Sequence, residues 1–388
     1  MFWPLMKDCF TDEDKNELIN FISTSNRYTN GPKVKEFESQ WSDWLGVDYS
    51  LFVSSGSTAN SLLLSAIITK YNLKPGDKVI VPAMTWVTNV GPVIQLGLEP
   101  IFCDIDTNNF SFDLEHLKEL SKKHNDIKVV FVTHLFGIPA PIDDFKEILP
   151  DAIYIEDCCE SHGAKIGDKK IGTFSEGSTF SSYFGHHMTT IEGGFVSTDD
   201  EGLYELMRAK RSHGMARECS PEVFEKYIKM YPEIDKRFMF ITDGYNFRNT
   251  ELGAVIGISQ LKRLDSMIER RIEICDWFEK FLNRYPDFFH MPNFNGNSSF
   301  CLPFVLKKDN TRNDLQNYLE ENGVETRPLC SGNLLRQPFL KDYKLNSSTP
   351  HKVDYLHFNG FFIGNNHFIS DDDVAKLESL LDTYLLKL

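Results

Sequence analysis

The sequence lacks several features that would restrict its location and its partners. No apolar run among its 388 residues approaches the ~20 residues that a membrane-spanning helix needs. The opening MFWPLMKD lacks the basic start and the long apolar core of a signal peptide. Internal repeats and low-complexity tracts are also absent. These absences predict a cytoplasmic protein without a membrane segment.

Cysteine pairs and excess basic charge are missing as well. The eight cysteines include no C-x-x-C pair, so their spacing predicts neither a disulfide framework nor a zinc site. Acidic residues outnumber lysines and arginines by 56 to 41, which gives a formal net charge of -15. Because nucleic acids and anionic membranes bind basic faces, this charge excludes both as expected partners. We expect no metal ion, and an anionic substrate would require local arginines.

Apolar segments of strand length are present, and they alternate with segments of helix length. Strands are expected in KVIVPAMTWV, PIFCDID, VVFVTHLFG and AIYIEDCCESHGA. Such alternation is typical of a mostly parallel sheet with helices on both faces. One apolar-periodic helix from Glu251 to about Arg284 is expected to lead into a smaller layer of mixed elements. We therefore predict a large α/β domain over residues 1–255 and a small α+β domain over residues 256–388.

Two polar segments at predicted strand ends suggest where a ligand binds. LFVSSGSTAN combines a strand, a glycine-bearing turn and a helix start, where free amides and the helix dipole favour a phosphate group. By spacing alone this signal is weak. Asp157 ends another predicted strand, and ligands of open α/β sheets gather at the carboxyl ends of strands.

A third polar segment, STFSSYFGHHMTTIEGG (residues 178–194), forms a loop between two predicted strands. It resembles the segment S-F-x-x-x-K-x-x-x-x-x-E-G-G of the sugar aminotransferases among the fold type I pyridoxal phosphate enzymes. Counting back six residues from Glu192 reaches His186, so the lysine that binds the cofactor covalently is missing. Imidazole cannot hold the cofactor aldehyde, but it moves protons with a pKa near neutrality. We predict that His186 is the catalytic base, and we assign no role to His187.

The resemblance also implies a set of cofactor-binding residues. They are Gly56, Ser57 and Thr58 for the phosphate, Trp86 for the ring face, Asp157 for the pyridine nitrogen, and Glu160 and Ser181 beside the ring. Glu160 stands where the aminotransferases have glutamine, which indicates either a changed proton network or a merely solvated side chain. Asn246 of GYNFRNTELGAVIG is implied to reach the cofactor phosphate of a partner subunit, and this predicts a homodimer.

Substrate contacts are expected from three further segments. KRSHGMARE forms a basic cluster that either meets an anionic substrate or is ordinary surface charge. Arg248 is implied to bind a substrate carboxylate, which suits its planar guanidinium. VETRPLCSGNLLRQP is similar to the matching segment of the sugar 3-dehydratases. The residues predicted at the substrate are His213 and Arg217 with Arg211 beside them, Arg248, Arg327, Ser331 and Asn333.

The histidine pair is typical of the 3-dehydratases of deoxysugar biosynthesis, and the resemblance spans about residues 5 to 385. It implies pyridoxal 5′-phosphate, which L-glutamate converts to the pyridoxamine form, and a nucleotide-linked 4-keto-6-deoxy sugar as substrate. The expected substrate is GDP-4-keto-6-deoxymannose or a related heptose. The expected products are a 3,6-dideoxy-4-keto sugar, ammonia and 2-oxoglutarate.

A related dehydrase holds an iron-sulfur cluster with four cysteines. Only Cys159 and Cys219 lie near the expected places here, so we expect no cluster. Two alternatives to a dehydratase stay open. One is a sugar aminotransferase that tolerates histidine and keeps the nitrogen in the sugar. The other is a non-catalytic homologue that binds a nucleotide sugar, against which the retained Asp157, Trp86 and phosphate turn argue.

Overall fold

The computed structural model describes residues 1–308, 311–341, 343 and 351–387, and that part of the chain contains thirteen helices and twelve strands. The helices are α1 (Asp12–Thr24), α2 (Pro32–Leu45), α3 (Gly56–Tyr71), α4 (Gly91–Gln95), α5 (Leu114–Lys123), α6 (Ile142–Ile148), α7 (Glu201–Arg211), α8 (Pro221–Met230), α9 (Glu251–Leu261), α10 (Leu264–Arg284), α11 (Arg312–Glu321), α12 (Lys352–Asn359) and α13 (Asp371–Leu385). None of these helices is both long and apolar enough to cross a membrane.

Seven strands form the central sheet, and a short hairpin lies outside it. The sheet strands are β1 (Tyr49–Val53), β2 (Lys78–Pro82), β3 (Glu99–Cys103), β4 (Ile127–Thr133), β5 (Ile153–Asp157), β8 (Gly177–Ser181) and β9 (Gly194–Thr198), and the hairpin is β6 (Lys165–Ile166) with β7 (Lys169–Lys170). Their order is β1-β9-β8-β5-β4-β2-β3. Only the two pairs that include β9 are antiparallel. The predicted α/β class with a mostly parallel sheet is confirmed.

A second sheet has three antiparallel strands and lies in the C-terminal part of the chain. Its strands are β10 (Cys301–Val305), β11 (Thr326–Pro328) and β12 (Gly360–Gly364), with β12 in the centre. The N-terminal residues join this sheet, because Trp3 forms a parallel bridge with Val324. The Trp3 indole also donates to the Gly364 carbonyl at 2.8 Å. The first residues of the chain are therefore fixed to the C-terminal sheet.

The prediction of one long helix from Glu251 to about Arg284 is wrong, because the helix is interrupted between α9 and α10. At the break, the Arg263 guanidinium donates to the carboxylate of Asp14 in α1 at 2.9 Å. The helix α9 is apolar on all sides and packs against α1 and α2, whereas α10 takes a new direction. The predicted domain boundary after residue 255 falls within α9, and it stays a prediction.

An aromatic cluster supports the loop that carries the two histidines. Trp41 of α2 stacks on Phe195 of β9 with ring centroids 4.3 Å apart, and Phe180 of β8 packs edge-on against Trp41 at 5.1 Å. All three side chains are buried. At the start of β9 the chain passes so close to α3 that a Cβ on Gly194 would lie 2.7 Å from the Gly56 nitrogen. Glycine at this position therefore lets the histidine loop pack against the glycine-bearing turn.

Candidate active site

A cleft of about 550 Å³ opens at the carboxyl ends of the parallel strands β1, β2, β4, β5 and β8. The N-terminal residues Leu5 and Met6 and the C-terminal sheet close its other side. Eight of the predicted site residues line this cleft, namely Gly56, Ser57, Trp86, Asp157, Glu160, Ser181, His186 and Arg327. The sheet topology thus gathers side chains that are more than 250 positions apart in the sequence.

The turn before α3 presents a helix N-terminus to the cleft. Ser55 and Thr58 form a reciprocal capping box, in which the Ser55 hydroxyl accepts from the Thr58 amide at 3.1 Å and the Thr58 hydroxyl accepts from the Ser55 amide at 3.0 Å. The Thr58 amide and hydroxyl take part in this cap, and its role as a phosphate ligand stays a prediction. A Cβ on Gly56 would lie 2.7 Å from Ser181 Cβ, so only glycine fits. The remaining amides at Gly56 and Ser57 face the cleft, where an anion is favoured.

Asp157 lies at the end of β5, and its carboxylate is held from three sides. Its Oδ2 accepts from the side-chain amides of Asn60 at 2.8 Å and Asn89 at 2.9 Å, while Oδ1 accepts from the Cys159 backbone amide at 2.9 Å. The sequence analysis missed both asparagines. Asn60 was detectable as a lone amide among the buried apolar residues of α3, whereas nothing in the sequence pairs Asn89 with Asp157. These contacts fix the direction in which Asp157 faces the cleft.

Trp86 and Glu160 differ sharply in exposure. The Trp86 side chain is 57% exposed at the cleft mouth, so its ring face is free to stack on a flat ligand. Burial raises the pKa of Glu160 to about 7, and the charge of Asp157 adds to this rise although the Phe136 amide donates to the carboxylate at 2.9 Å. Glu160 is thus no ordinary solvated carboxylate, because it takes up and releases a proton near neutrality.

The two histidines have different surroundings. His186 lines the cleft, and its ring packs on Phe300 with centroids 5.3 Å apart. His187 is fully buried away from the cleft, with Nε2 at 3.0 Å from the Ser298 carbonyl oxygen. Burial, together with the nearby Arg271 guanidinium, lowers the pKa of His186 to about 3. The expected pKa near neutrality is therefore corrected: His186 is a neutral imidazole at physiological pH.

The four predicted residues between α7 and α9 do not line the cleft of their own chain, namely His213, Arg217, Asn246 and Arg248. Asn246 and Arg248 instead line a separate groove, in which Arg248 Nε donates to Asn246 Oδ1 at 3.1 Å. Arg217 donates to the Arg237 carbonyl at 3.2 Å, and His213 is exposed. Arg211 of the same basic cluster is buried in an ion pair with Glu38, so it is not a substrate ligand.

The segment that begins with β11 places one of its three predicted residues at the cleft. Arg327 lines it and forms an ion pair with Glu325 at 2.6 Å. Ser331 donates to the Thr85 carbonyl at 2.6 Å. Asn333 caps a short helical turn and donates to Asp354 at 2.7 Å. These two side chains connect the segment to its neighbours, and their roles at the substrate stay predictions.

One buried group has the residue types of a metal site, and its atoms are already engaged. It consists of His134, Glu156 and Cys158. The Glu156 carboxylate faces His134 Nε2 at 3.1 Å and accepts from the backbone amides of residues 172 and 174. His134 Nδ1 accepts from the Ala140 amide at 2.9 Å. Burial raises the pKa of the Cys158 thiol well above its usual range. This group is a hydrogen-bonded core cluster.

Comparison with known proteins places this site in a family. Residues 10–376 match the model of the DegT/DnrJ/EryC1/StrS aminotransferase family. The chain belongs to this family. The resemblance read from the sequence motifs is thereby confirmed.

Within the DegT/DnrJ/EryC1/StrS family, the chain is 36% identical to GDP-4-keto-6-deoxy-D-mannose 3-dehydratase of Escherichia coli O55:H7, over 98% of this chain and 99% of that protein. The solved structure of the E. coli enzyme with bound hydrated PLP superposes with a TM-score of 0.89 at 33% identity, covering 98% of this chain and 99% of that one. A structure of such a dehydratase with a trapped PLP-glutamate geminal diamine also gives 0.89 at 33% identity, covering 98% and 100% of the two chains. The fold is therefore that of the type I pyridoxal phosphate enzymes.

The cleft of this family member fits a phosphorylated, flat, cationic ring. The glycine turn offers amides to a phosphate without a side chain in the way, since Gly56 leaves the space that a Cβ would fill. The exposed Trp86 offers a ring face, and Asp157 offers an anchored carboxylate. None of the described residues that line the cleft is a lysine, and His186 is at the sequence position where the family motif has one.

Proposed function

We propose that this protein is a pyridoxal phosphate- and L-glutamate-dependent 3-dehydratase of a nucleotide-linked 4-keto-6-deoxy sugar. The proposed substrate is GDP-4-keto-6-deoxymannose or a related heptose, consistent with the substrate named for its relatives. The observation that carries the proposal is His186, an imidazole at the cleft position where aminotransferases carry lysine. The proposed products are the 3,6-dideoxy-4-keto sugar, ammonia and 2-oxoglutarate.

The cofactor would be held without a covalent bond. Amides of Gly56 and Ser57 would bind its phosphate, Trp86 would cover one ring face, and Asp157 would accept a hydrogen bond from the pyridine nitrogen. When bound, pyridoxal phosphate would carry the amino group of L-glutamate and withdraw electrons from the carbon that loses a proton. Ser181 and Glu160 lie beside this position, and Glu160 supplies a group that exchanges a proton near neutrality.

His186 would move the proton. As a neutral imidazole it would accept a proton from the carbon that joins the amine to the cofactor ring. The resulting imidazolium would give that proton to the hydroxide that leaves carbon 3 of the sugar, so that water is released. A lysine amine would instead bind the cofactor and return the proton to carbon 4 of the sugar, which completes transamination. Histidine thus favours loss of water over retention of nitrogen.

We also propose a homodimer in the cytoplasm, with Asn246 completing the phosphate site of the partner subunit. Asn246 is exposed and forms an isolated β-bridge with Ser212. Nearby, Met215 forms a second isolated β-bridge with Phe240. Phe240 and Phe238 are exposed by 56% and 61%. Large exposed apolar side chains around a predicted ligand support a protein interface at this surface.

The test is incubation of the purified protein with pyridoxal phosphate, L-glutamate and a panel of GDP-, CDP- and dTDP-linked 4-keto-6-deoxy sugars, followed by mass spectrometry. A dehydratase produces 2-oxoglutarate, ammonia and a sugar that has lost its 3-hydroxyl oxygen. An amino sugar would support the aminotransferase instead. Absence of any turnover across the panel would support a non-catalytic binding protein.

A further inference from the structure

Arg271 of α10 is a buried cation behind the histidine loop, with no carboxylate ion pair among the described residues. Its side chain donates only to backbone carbonyls. Nη2 donates to the His186 carbonyl at 3.4 Å, and Nη1 donates to the carbonyls of Phe300, at 3.2 Å, and Asn365. The Asn365 side chain returns a hydrogen bond to the Arg271 carbonyl at 2.9 Å. The guanidinium thus connects the histidine loop to β10 and β12.

A buried charge is unfavourable unless a counter-charge or hydrogen bonds compensate it. Arg271 has the hydrogen bonds but lacks the counter-charge, so its positive field acts on its neighbours with little screening. Those neighbours include three imidazoles, the buried His162 and His187 and the partly buried His186. Burial lowers the pKa of each, and the charge of Arg271 lowers it further.

We propose that Arg271 is a positioning residue for the proton transfer, which holds the backbone of His186 in place and keeps its imidazole in the unprotonated, proton-accepting form. This inference rests on the proposed role of His186. It extends that role to a residue that does not line the cleft.

The other groups around His186 do not supply a comparable fixed charge. His162 and His187 are themselves buried imidazoles, Tyr183 packs against the ring at 6.3 Å, and Phe300 is apolar. On the cleft side the other titratable groups are Asp157, Cys159, Glu160, Glu192, Cys301, Arg327 and Cys330. The carboxylates among them would favour an imidazolium. Arg327 is a cation as well, but it pairs with Glu325, whereas Arg271 is buried beside the loop and donates to the His186 carbonyl.

The test is a pH titration of His186 in the cofactor-loaded protein, monitored by NMR with ring-labelled histidine. The signal of His186 is identified by its loss in His186→Asn. In the wild type we expect no titration of His186 above pH 5. In Arg271→Met the midpoint should rise by about 1 pH unit or more, the usual effect of removing one nearby charge. Arg271→Lys keeps the charge and should leave the midpoint near that of the wild type. Arg270→Met is the matched control, since Arg270 pairs with Glu273 and Asp371 at the surface.

Turnover gives a second readout. The acidic limb of kcat/KM should move to higher pH in Arg271→Met and stay in place in Arg271→Lys.

A folded Arg271→Met protein with an unchanged His186 midpoint would overturn the inference. If Arg271→Met does not fold, the wild type decides, because a His186 midpoint at pH 5 or above contradicts the proposal and one below pH 5 supports it. Failure of the proposed function is distinct, since it appears as absent dehydration by the wild type while the NMR titration is unaffected.

Discussion

The contact between Gly185 and Met6 provides a sharp test of how the N-terminus shapes the cleft. A Cβ added to Gly185 would lie 1.7 Å from Met6 Sδ, so Gly185→Ala must displace the methionine. Both residues line the cleft next to His186. Overpacking costs about 1–3 kcal/mol in a closed core, and the low end applies here because Met6 is a flexible, partly exposed side chain that lines the cleft. We expect Gly185→Ala to lower the free energy of unfolding by about 1 kcal/mol and to reduce turnover.

The double variant separates this collision from other effects of alanine. Met6→Ala removes the thioether with which the new methyl collides, so Gly185→Ala should cost less in the Met6→Ala background. The expected coupling is about 0.5–3 kcal/mol, measured by urea unfolding of the four proteins. Gly91→Ala is the matched control, because no atom lies within 4 Å of its added Cβ. Strict additivity of the two substitutions would refute the contact.

Three further predictions concern protonation, cofactor attachment and assembly. As pH rises from about 4.5 to about 7, the free energy of unfolding should fall less in Glu160→Gln than in the wild type. The reason is that the raised pKa of Glu160 keeps it protonated in the folded chain after it has ionised in the unfolded chain. Unfolding titrations that show the same fall in both proteins would contradict this. Borohydride reduction should leave no pyridoxyl group on any lysine, and an adduct in the intact mass would contradict non-covalent binding. Asn246→Ala should weaken pyridoxal phosphate binding while sedimentation still shows a dimer, and an active wild-type monomer would exclude the shared site.

The sequence predicts those parts of the molecule that follow from local pattern or a quoted motif. Alternating apolar segments indicated the mostly parallel sheet, and the turn at Gly56 was located correctly at a helix start. The position of His186 in the cleft followed from its spacing to Glu192. In each case neighbouring residues along the chain determine the feature.

What the sequence did not predict depends on contacts between distant segments. Asn89 binds Asp157 across 68 positions, and nothing in the sequence near either residue indicates the pairing. At the break between α9 and α10, Arg263 pairs with Asp14, which is 249 positions away in the sequence. The low pKa of His186 likewise arises from burial and from Arg271, which is 85 positions away.

The central claim is that His186 moves the proton during dehydration, and one comparison tests it directly. His186→Asn and His187→Asn are each loaded with pyridoxal phosphate, checked for folding by circular dichroism, and assayed for dehydration of the sugar. Because general base catalysis contributes about 10²–10⁴-fold in rate, His186→Asn should lose activity by that factor while it still binds the cofactor. His187→Asn should lose much less, since its side chain is buried away from the cleft. Near-normal turnover by a folded His186→Asn protein would contradict the claim.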